Sequence, residues 1–385
     1  MARRRVASRP MPAPRRVLHV IDSLDLGGAQ VVMLNLLRCA DRSRWAPEAA
    51  CLHGRGVFWG PIAATGVPLR TYSFHHLFPS YVPGLLALML TRRPAVVHCH
   101  LLASNVIAKP LAAVCGVPVR INHDHCNDKL TDPRGWALPA DRFTNRWSTH
   151  VIAVSESTRA FVSDHEGVPR ERTSTIHNGV NCDLFRPRPA ERAEARRRLA
   201  LPEDAWIVGG IGRLTHQKNF ALFLEVAAAV LRTHANVYFA IAGTGEDEPA
   251  LRAQAAALGI AERVRFLGFT RDMAALYPTL DALLLTSRYE GLPITILEAM
   301  ACGVPIVASR LDGIAEVLAD GEDSALVSPD DGPGFAARVS ELIANPALAQ
   351  RCADAAVLKA RTQYSAERMT RDVEAIYDRY LPQPL

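Results

Sequence analysis

The chain has 385 residues, 49% of them hydrophobic and 22% charged, and a formal net charge of +5. This length exceeds what one hydrophobic core usually supports, so two domains are expected. No stretch reaches about 18 uninterrupted apolar residues, which excludes a membrane-spanning helix. The basic residues are not interleaved with aromatic residues and no nucleic-acid recognition motif occurs, so nucleic acid is not an expected partner.

Charge is distributed unevenly along the chain. The first 185 residues carry 22 Lys and Arg against 13 Asp and Glu, about +9, whereas the remainder carries about −4. A basic first half could attract an anionic membrane surface or a lipid-phosphate acceptor. It could also reflect arginine-rich composition, since six arginines lie within the first 16 residues. Residues 1–14 lack the apolar core of a secretory signal and are predicted to form a basic, disordered tail.

Eight cysteines are scattered without C-x-x-C pairs, and most lie in apolar surroundings. This usage is typical of buried, reduced thiols. The expected location is therefore the cytoplasm, and peripheral contact with the inner face of the cell membrane is left open.

Strand and helix patterns alternate along the whole chain, which is typical of parallel sheets covered by helices. A first α/β domain is predicted over residues 15–185. Its apolar runs predict strands at residues 17–21, 46–52, 69–72, 95–99, 118–122, 150–154 and 173–177. Helices are predicted at residues 28–39, 84–91, 104–115 and 155–163.

Residues 186–189, Arg-Pro-Arg-Pro, interrupt the pattern and are predicted to form an interdomain linker. A second domain is predicted over residues 190–362, with an apolar stripe on a helix at 218–234. Residues 363–385 contain an amphipathic helix that needs a partner surface. The strands of the second domain are predicted at residues 206–211, 237–242, 264–266, 282–286, 306–308 and 325–327.

Two glutamates follow the predicted strand at 282–286. Glu290 lies in the loop after the strand, and Pro293 is suited to the opening of a helix because its missing N–H costs nothing there. Glu298 lies two turns after Glu290, so both carboxylates could point into one crevice. A loop at the carboxyl end of a parallel strand, followed by a helix N-terminus, is where α/β folds bind phosphorylated ligands. A solvated acidic face is the alternative.

Residues 287–308 resemble the E-x7-E motif of retaining glycosyltransferases with the GT-B fold, a family that includes bacterial mannosyl- and N-acetylglucosaminyltransferases. The resemblance extends over about residues 15–380. It implies two Rossmann-like domains facing across a cleft, with a C-terminal helix that crosses back to the first domain. Further matching segments are Gly-Gly-Ala at 27–29, Val-Ser-Glu at 154–156, His-Asn-Gly-Val at 177–180 and Gly-Arg-Leu-Thr-His-Gln-Lys-Asn at 212–219.

The resemblance implies transfer of a hexose or N-acetylhexosamine, with retention, from a nucleotide-diphosphate sugar to a glycan, lipid-linked or small-molecule acceptor. Manganese-using transferases often hold the metal with Asp-x-Asp, which is absent from this chain, so neither a metal nor another cofactor is expected. The alternatives are a sugar-nucleotide epimerase or sugar phosphorylase of the same fold, or a catalytically silent nucleotide-binding subunit. The presence of all the expected polar residues argues against the silent subunit.

Different polar side chains are expected to bind different parts of a nucleotide-sugar donor. Arg213 and Lys218, after Gly212, offer two cations for the diphosphate, because Arg can bind a phosphate bidentately and Lys acts as a point charge. The resemblance implies that Glu298 holds the ribose and that Glu290 contacts the transferred sugar. These cations on a loop could otherwise be ordinary surface residues.

Backbone groups are expected to complete the donor site. The resemblance implies contacts to sugar and phosphate from main-chain N–H groups around the start of the helix. Two glycines after the first strand leave room for a ligand to approach the backbone, with a simple tight turn as the alternative. The remaining donor-site candidates are Gly27, Gly28, Gly243, Leu267, Phe269, Gly291, Leu292, Pro293, Ile294 and Thr295.

His123 and His125 alternate on an extended segment, so both imidazoles could point into the cleft. A two-histidine metal site is an alternative for which no third ligand is obvious. The resemblance implies one histidine near the hydroxymethyl end of the sugar; His123 is favoured, with His125 close behind. His100 matches a family position with a structural role, and Asn178 is a further candidate. Glu290, His123, Arg213 and Lys218 are the predicted catalytic residues.

Overall fold

The computed structural model describes residues 13–72, 74–75, 78–79, 81–125 and 135–382. The predicted disordered tail at 1–14 therefore lies outside the described residues except for its last two. Residue contacts divide the chain into two compact units. The first comprises Met1–His123, Ala140–Val151 and Arg371–Leu385, and the second comprises Asp124–Pro139 and Ile152–Thr370.

The first sheet has seven strands in the order β3-β2-β1-β6-β7-β8-β9, and β4 and β5 form a separate antiparallel pair. Strand β1 lies between β2 and β6 and pairs in parallel with both. The strands are β1 (Arg15–Ile21), β2 (Trp45–Cys51), β3 (Leu69–Thr71), β4 (Phe74–His75), β5 (Phe78–Pro79), β6 (Val96–His100), β7 (Val119–Asp124), β8 (His150–Ala153) and β9 (Thr173–Thr175). The helices among them are α1 (Gly28–Cys39), α2 (Trp59–Ala63), α3 (Tyr81–Arg92), α4 (Leu102–Val114), α5 (Ala137–Thr144) and α6 (Glu156–Asp164).

The second sheet has six parallel strands in the order β12-β11-β10-β13-β14-β15. The strand order reverses direction between β10 and β13, where open α/β sheets form ligand crevices. The strands are β10 (Trp206–Ile211), β11 (Val237–Ala242), β12 (Val264–Gly268), β13 (Ala282–Leu285), β14 (Ile306–Ser309) and β15 (Ala325–Val327). The helices are α7 (Arg192–Arg198), α8 (Phe220–Leu231), α9 (Glu248–Ala257), α10 (Met273–Leu276), α11 (Ile294–Cys302), α12 (Asp312–Ala315), α13 (Gly332–Ala344), α14 (Pro346–Gln363) and α15 (Ala366–Tyr380).

Helices α8 and α11 show how the sequence builds the second core. Leu224 and Ala227, two members of the predicted apolar stripe on α8, are completely buried, and so is the neighbouring Phe223. Helix α11 is apolar on nearly all sides and is buried along most of its length, except around Thr295. It ends where Gly303 adopts a left-handed conformation at φ +70.

The end of α15 packs within the first unit through an aromatic residue and two charged residues. The Tyr377 ring meets the Trp45 ring of β2 edge-on, with 5.3 Å between their centroids. Arg44 pairs with Asp378. The apolar face predicted from the amphipathic pattern is buried at Met369, Val373, Ile376 and Tyr377.

Every predicted strand is present, with bounds that differ by at most two residues. Several helices have no counterpart among the predicted elements: the short α2, α5, α7, α10 and α12, and the longer α13 and α14. The β4–β5 pair is not predicted either. The helix predicted at 218–234 is shorter at both ends and runs from Phe220 to Leu231. No helix among the described residues is both long enough and apolar enough to cross a bilayer.

Candidate functional site

Lys218 and Glu290 form an ion pair in the second unit. The Lys218 ammonium nitrogen, Nζ, lies 2.5 Å from Glu290 Oε1, and the side chains are only 13% and 8% exposed. An ion pair largely removed from water is screened little and holds both charges in defined positions. The structure thus brings together the two predicted motifs, whose charged residues are 72 positions apart.

The loops after β10 and β13 are joined by further hydrogen bonds. The Arg288 N–H donates to Gln217 O at 2.9 Å, and Gln217 Nε2 donates to Tyr289 O at 3.1 Å. The same amide nitrogen lies 3.5 Å from Glu290 Oε2. Because β10 and β13 are parallel neighbours, their following loops leave the sheet at the same edge.

Arg213 lies in the loop after β10 and differs from Lys218 in its surroundings. Its side chain is exposed, and none of the carboxylates among the described residues pairs with it. A guanidinium group without a carboxylate partner keeps its N–H donors available for an anion. This loop therefore carries one paired cation and one unpaired cation.

Glu298 lies inside α11 and is 5% exposed. Its Oε2 accepts a hydrogen bond from Tyr277 Oη at 2.7 Å. Burial raises the pKa of the Glu298 carboxyl to about 7, and the hydrogen bond from Tyr277 partly opposes this effect. Burial also raises the pKa of Tyr277, so the phenol stays protonated and remains a donor.

The N-terminus of α11 lies between the two glutamates in sequence. Pro293 is the N-cap residue rather than the first helical residue as predicted, and Ile294 begins the helix. The N–H groups of Ile294 and Thr295 have no acceptor within the helix, and the helix dipole favours negative charge at this end. Asn178 Nδ2 donates to Leu292 O at 2.8 Å and so fixes the loop before the helix.

Backbones approach closely where β10, β11 and β12 end. A Cβ atom on Gly243 would lie 1.9 Å from Gly212 O, and Gly243 has φ +145, so only glycine fits there. The Gly243 N–H donates to Gly268 O at 2.9 Å. Leu267 and Phe269 flank Gly268 and are half-buried. The structure therefore brings together the predicted candidates from these three strand ends.

Gly291 packs against backbone on two sides. A Cβ atom on Gly291 would lie 2.4 Å from His125 O, and a Cβ atom on Gly313 would lie 1.8 Å from Gly291 O. Neither position has room for a larger residue. His125 thus meets the Glu290 loop through its main chain, and its imidazole is half-buried.

In the first unit, Gly27 and Gly28 form the turn between β1 and α1. Gly27 is the N-cap residue and Gly28 is the first residue of the helix. A Cβ atom on Gly27 would lie 2.4 Å from Gln30 Oε1, and Gln30 Nε2 donates to Ser23 O at 3.0 Å. The pair therefore forms the predicted strand-to-helix turn, in which a side chain at position 27 would displace Gln30.

Four buried histidines stack in the first unit: His19 on β1, His98 and His100 on β6, and His123 on β7. The rings of His98 and His100 are nearly parallel, with centroids 4.4 Å apart. His19 Nδ1 lies 3.2 Å from His100 Nε2, and His98 Nε2 lies 3.2 Å from His123 Nδ1. Burial lowers the pKa of His19 to about 3, so this environment disfavours a charged imidazole.

The ligand atoms of His19, His98 and His100 lie within 4.8 Å of one another, close enough for a metal ion to be considered. Histidines around a metal each direct one nitrogen at a common centre. These rings instead stack and hydrogen-bond to one another, which fits a hydrogen-bonded cluster better than a metal centre. His100 and His123 belong to this cluster, whereas His125 contacts the Glu290 loop.

Comparisons with known proteins give two family matches that together cover most of the chain. The family described as "Glycosyltransferase Family 4" matches residues 26–184, and "Glycosyl transferases group 1" matches residues 191–358. Alpha-D-kanosaminyltransferase of Streptomyces kanamyceticus is 30% identical over 335 residues, which are 81% of this chain and 86% of that protein. The chain belongs to the family 4 type of glycosyltransferases. The predicted family is confirmed.

Two further comparisons bear on the activity and on the fold. The lipopolysaccharide core biosynthesis mannosyltransferase LpsB of Rhizobium meliloti is 30% identical over 252 residues, 63% of this chain and 68% of that protein. The crystal structure of Anabaena Alr3699/HepE in complex with UDP-glucose matches with a TM-score of 0.84 at 22% identity, over 95% of this chain and all of that one. The fold is GT-B, as predicted, and the protein is a glycosyltransferase.

Two residues that contact the candidate site of this glycosyltransferase are not among the predicted site residues. Gln217 lies within the 212–219 motif, from which only Gly212 and the cations Arg213 and Lys218 are predicted, and its amide contacts the Glu290 loop. Tyr277 lies outside every motif and approaches Glu298 only through the fold. The position of Gln217 beside Lys218 could have indicated a role in the site, whereas the sequence contains no comparable indication for Tyr277.

Proposed function

We propose that the protein transfers a hexose or N-acetylhexosamine, with retention, from a nucleotide-diphosphate sugar to a glycan, lipid-linked or small-molecule acceptor. The observation that carries this proposal is the largely buried Lys218–Glu290 pair beside the N-terminus of α11. It provides a cation for a leaving phosphate and a carboxylate for a sugar on the same sheet edge. Glu298 provides an acceptor for ribose hydroxyls further along the same helix.

The first chemical task is to stabilise the leaving diphosphate. Arg213 and Lys218 offer cations, and the first N–H groups of α11 add donors aligned with the helix dipole. Fixed charges of this kind are effective because they need no reorganisation as negative charge develops. Gly212 and Gly243 let a ligand approach the backbone, and Leu267 and Phe269 are proposed to flank the base.

The second task is transfer itself. The bond between the anomeric carbon and the diphosphate oxygen breaks, and the acceptor oxygen bonds to the same face of the sugar. The departing phosphate oxygen takes the acceptor's proton, so no enzyme nucleophile is required. Glu290 is proposed to contact the sugar as positive charge develops on it, and His123 to contact its hydroxymethyl end. Gly27 and Gly28 are proposed to give the donor access to the backbone of the first domain.

A donor screen tests this proposal directly. UDP-, GDP- and ADP-sugars would be compared in thermal unfolding, with UDP-glucose as the first probe because HepE was crystallised with it. A donor at about 100 times its Kd should add about 2.7 kcal/mol to the free energy of unfolding. The stabilising donor should then be hydrolysed slowly without acceptor. Stabilisation without any hydrolysis or transfer would instead support the silent nucleotide-binding subunit.

Product analysis separates the remaining alternatives. Proton NMR of the reaction should show a new glycoside with the anomeric configuration of the donor and release of nucleoside diphosphate. An epimerase would change the donor sugar without an acceptor, and a phosphorylase would require phosphate. An inverted glycoside would overturn retention while leaving glycosyl transfer intact.

Metal independence is a separate prediction, motivated by the cations of the 212–219 loop and by the missing Asp-x-Asp. Turnover of the stabilising donor should change less than about twofold after extensive treatment with EDTA, because Arg213, Lys218 and the helix N-terminus supply the positive charge. Added Mn²⁺ should restore nothing that EDTA removed. Loss of activity with EDTA and recovery with Mn²⁺ would show that the reaction uses a metal.

Peripheral contact with an anionic membrane is proposed from the charge of the first half and from one exposed surface. Phe143 is 53% exposed, Arg142 and Arg146 are exposed, and the Arg146 guanidinium carbon lies 3.8 Å from the Phe143 ring centroid. Aromatic and basic side chains together favour the lipid headgroup region. This surface belongs to the first unit.

Vesicle co-sedimentation checks the membrane prediction. Binding should require anionic lipid and fall as salt rises from about 0.05 to about 0.5 M, since screening shortens the range of the attraction. Arg142→Gln with Arg146→Gln should weaken binding by about 30-fold, at about 1 kcal/mol for each basic residue. Arg232→Gln, which removes an exposed cation from the second unit, is the matched control. Equal binding to neutral and anionic vesicles would contradict the prediction.

A further inference from the structure

Tyr377, His98 and His123 form a continuous hydrogen-bonded series in the first unit. Tyr377 Oη lies 2.5 Å from His98 Nδ1, and His98 Nε2 lies 3.2 Å from His123 Nδ1. The exposures of the three side chains are 3%, 0% and 1%. The series therefore connects the C-terminal helix to the end of β7 through groups that water does not reach.

The direction of the first hydrogen bond follows from the phenol. Among the described residues, His98 Nδ1 is the acceptor within reach of the Tyr377 hydroxyl. If His98 donated instead, the phenol hydrogen would be buried without an acceptor, which costs free energy. Burial raises the pKa of Tyr377 well above its usual value, so the phenol keeps its proton. Tyr377 is thus the donor and His98 Nδ1 the acceptor.

The remaining proton positions follow from the imidazoles. A neutral imidazole carries one proton, so when Nδ1 accepts, Nε2 carries the hydrogen. His98 is completely buried and stacks against the His100 and His123 rings, and burial disfavours the charged form of an imidazole. His98 Nε2–H therefore donates to His123 Nδ1. A neutral His123 must then carry its own hydrogen on Nε2.

We propose that Tyr377 and His98 are positioning residues that hold His123 in the Nε2–H tautomer, so that His123 offers a hydrogen-bond donor rather than a base at its outer nitrogen. The C-terminal helix thereby sets the proton position of a residue on β7. The consequence for catalysis rests on the proposed function, in which His123 contacts the transferred sugar. A fixed donor suits a sugar hydroxyl oxygen, and no proton leaves the protein in this role.

Nitrogen NMR of protein labelled with ¹⁵N-histidine tests the tautomer without requiring activity. In the wild-type protein, His123 Nε2 and His98 Nε2 should resonate as protonated nitrogens and both Nδ1 atoms as unprotonated ones. Tyr377→Phe removes only the hydroxyl, and should convert both residues to mixtures of tautomers. Tyr380→Phe is the matched control, because Tyr380 lies on the same helix as Tyr377 and its hydroxyl lies 3.0 Å from His150 Nδ1. Its effect should be confined to His150.

Two variants at His98 provide a second test in case Tyr377→Phe is poorly folded. His98→Gln places an acceptor and a donor in similar positions and should preserve the His123 tautomer, whereas His98→Leu should not. Thermal unfolding would show whether each variant is folded. The proposal is overturned if wild-type His123 is protonated on Nδ1, or if Tyr377→Phe leaves both tautomers unchanged.

Kinetics then separate this inference from the proposed function. Tyr377→Phe should lower kcat/KM for UDP-glucose hydrolysis by about tenfold, the size of one misplaced hydrogen bond. In a His123→Ala background the same substitution should have no further effect, since the two residues act in series. A tautomer change without a change in rate would support the hydrogen-bonded series and show that His123 does not contact the sugar. Absence of turnover would count against the proposed donor, and the NMR result would still show whether Tyr377 and His98 set the His123 tautomer.

Discussion

Glu290→Ala is expected to lower kcat by at least about 100-fold, the usual size for loss of a preorganised contact to a transition state. The contact matters most as the sugar gains positive charge, so kcat should fall much more than KM. Binding of free nucleoside diphosphate should stay the same or become tighter. The structure gives the reason, because Glu290 neutralises Lys218 at 2.5 Å and its removal frees the cation for phosphate.

Stopped assays of donor hydrolysis and calorimetry with UDP would measure these two effects separately. Glu290→Gln keeps the shape but not the charge, so it should bind UDP as tightly as Glu290→Ala does and recover only part of kcat. Lys218→Ala provides the opposite case. It should weaken UDP binding by roughly 10-fold or more, since a charge-assisted hydrogen bond contributes about 1.5–3 kcal/mol. Near-normal turnover in Glu290→Ala would make this carboxylate a structural residue of the loop.

Glu298→Ala should weaken UDP and intact UDP-sugar alike, by about 100-fold if both ribose hydroxyls donate to the carboxylate. Its effect on kcat at saturating donor should be small, because the ribose does not change during transfer. Isothermal titration with UDP and with UDP-glucose would compare the two losses. Unequal losses, with UDP unaffected, would show that Glu298 does not hold the part that both ligands share.

The raised pKa of Glu298 gives this prediction a pH dependence. The carboxyl of the ligand-free protein is protonated below about pH 7, whereas ribose hydroxyls donate best to the ionised form. UDP affinity should therefore fall as pH decreases below about 7, by up to about tenfold per pH unit. Glu298→Gln retains only the titration of UDP itself and so isolates the contribution of the carboxyl.

Tyr277→Phe is the matched variant for that pH profile. The Tyr277 hydroxyl donates to Glu298 Oε2 and favours the ionised carboxylate. Without it, the pKa of Glu298 should rise further and the midpoint of the UDP profile should move to higher pH. An unchanged midpoint would mean that Tyr277 positions the carboxylate without affecting its charge.

The order and type of the elements could be predicted because each strand is a short apolar run between turn residues. Strands 206–211, 237–242 and 325–327 appear at the predicted positions, and α1 has its predicted bounds. The family motifs also located the candidate site, since Glu290, Glu298, Arg213 and Lys218 lie within segments that carry recognisable spacing. The short elements α2 and α5 have too few residues for a periodic pattern to identify them.

The sequence by itself determined the alternation of strands and helices, the two glutamates and the two cations. These are local properties: hydrophobic period, turn residues and motif spacing. Only the tertiary structure decided that Lys218 pairs with Glu290, that Tyr277 meets Glu298, and that His98 joins Tyr377 to His123. Such contacts join distant positions and depend on strand order, since parallel neighbours bring their following loops to one edge of the sheet. Burial is also decided by the tertiary structure, and it raises the pKa of Glu298. In the buried surroundings of Tyr377, the hydroxyl has one acceptor among the described residues, His98 Nδ1.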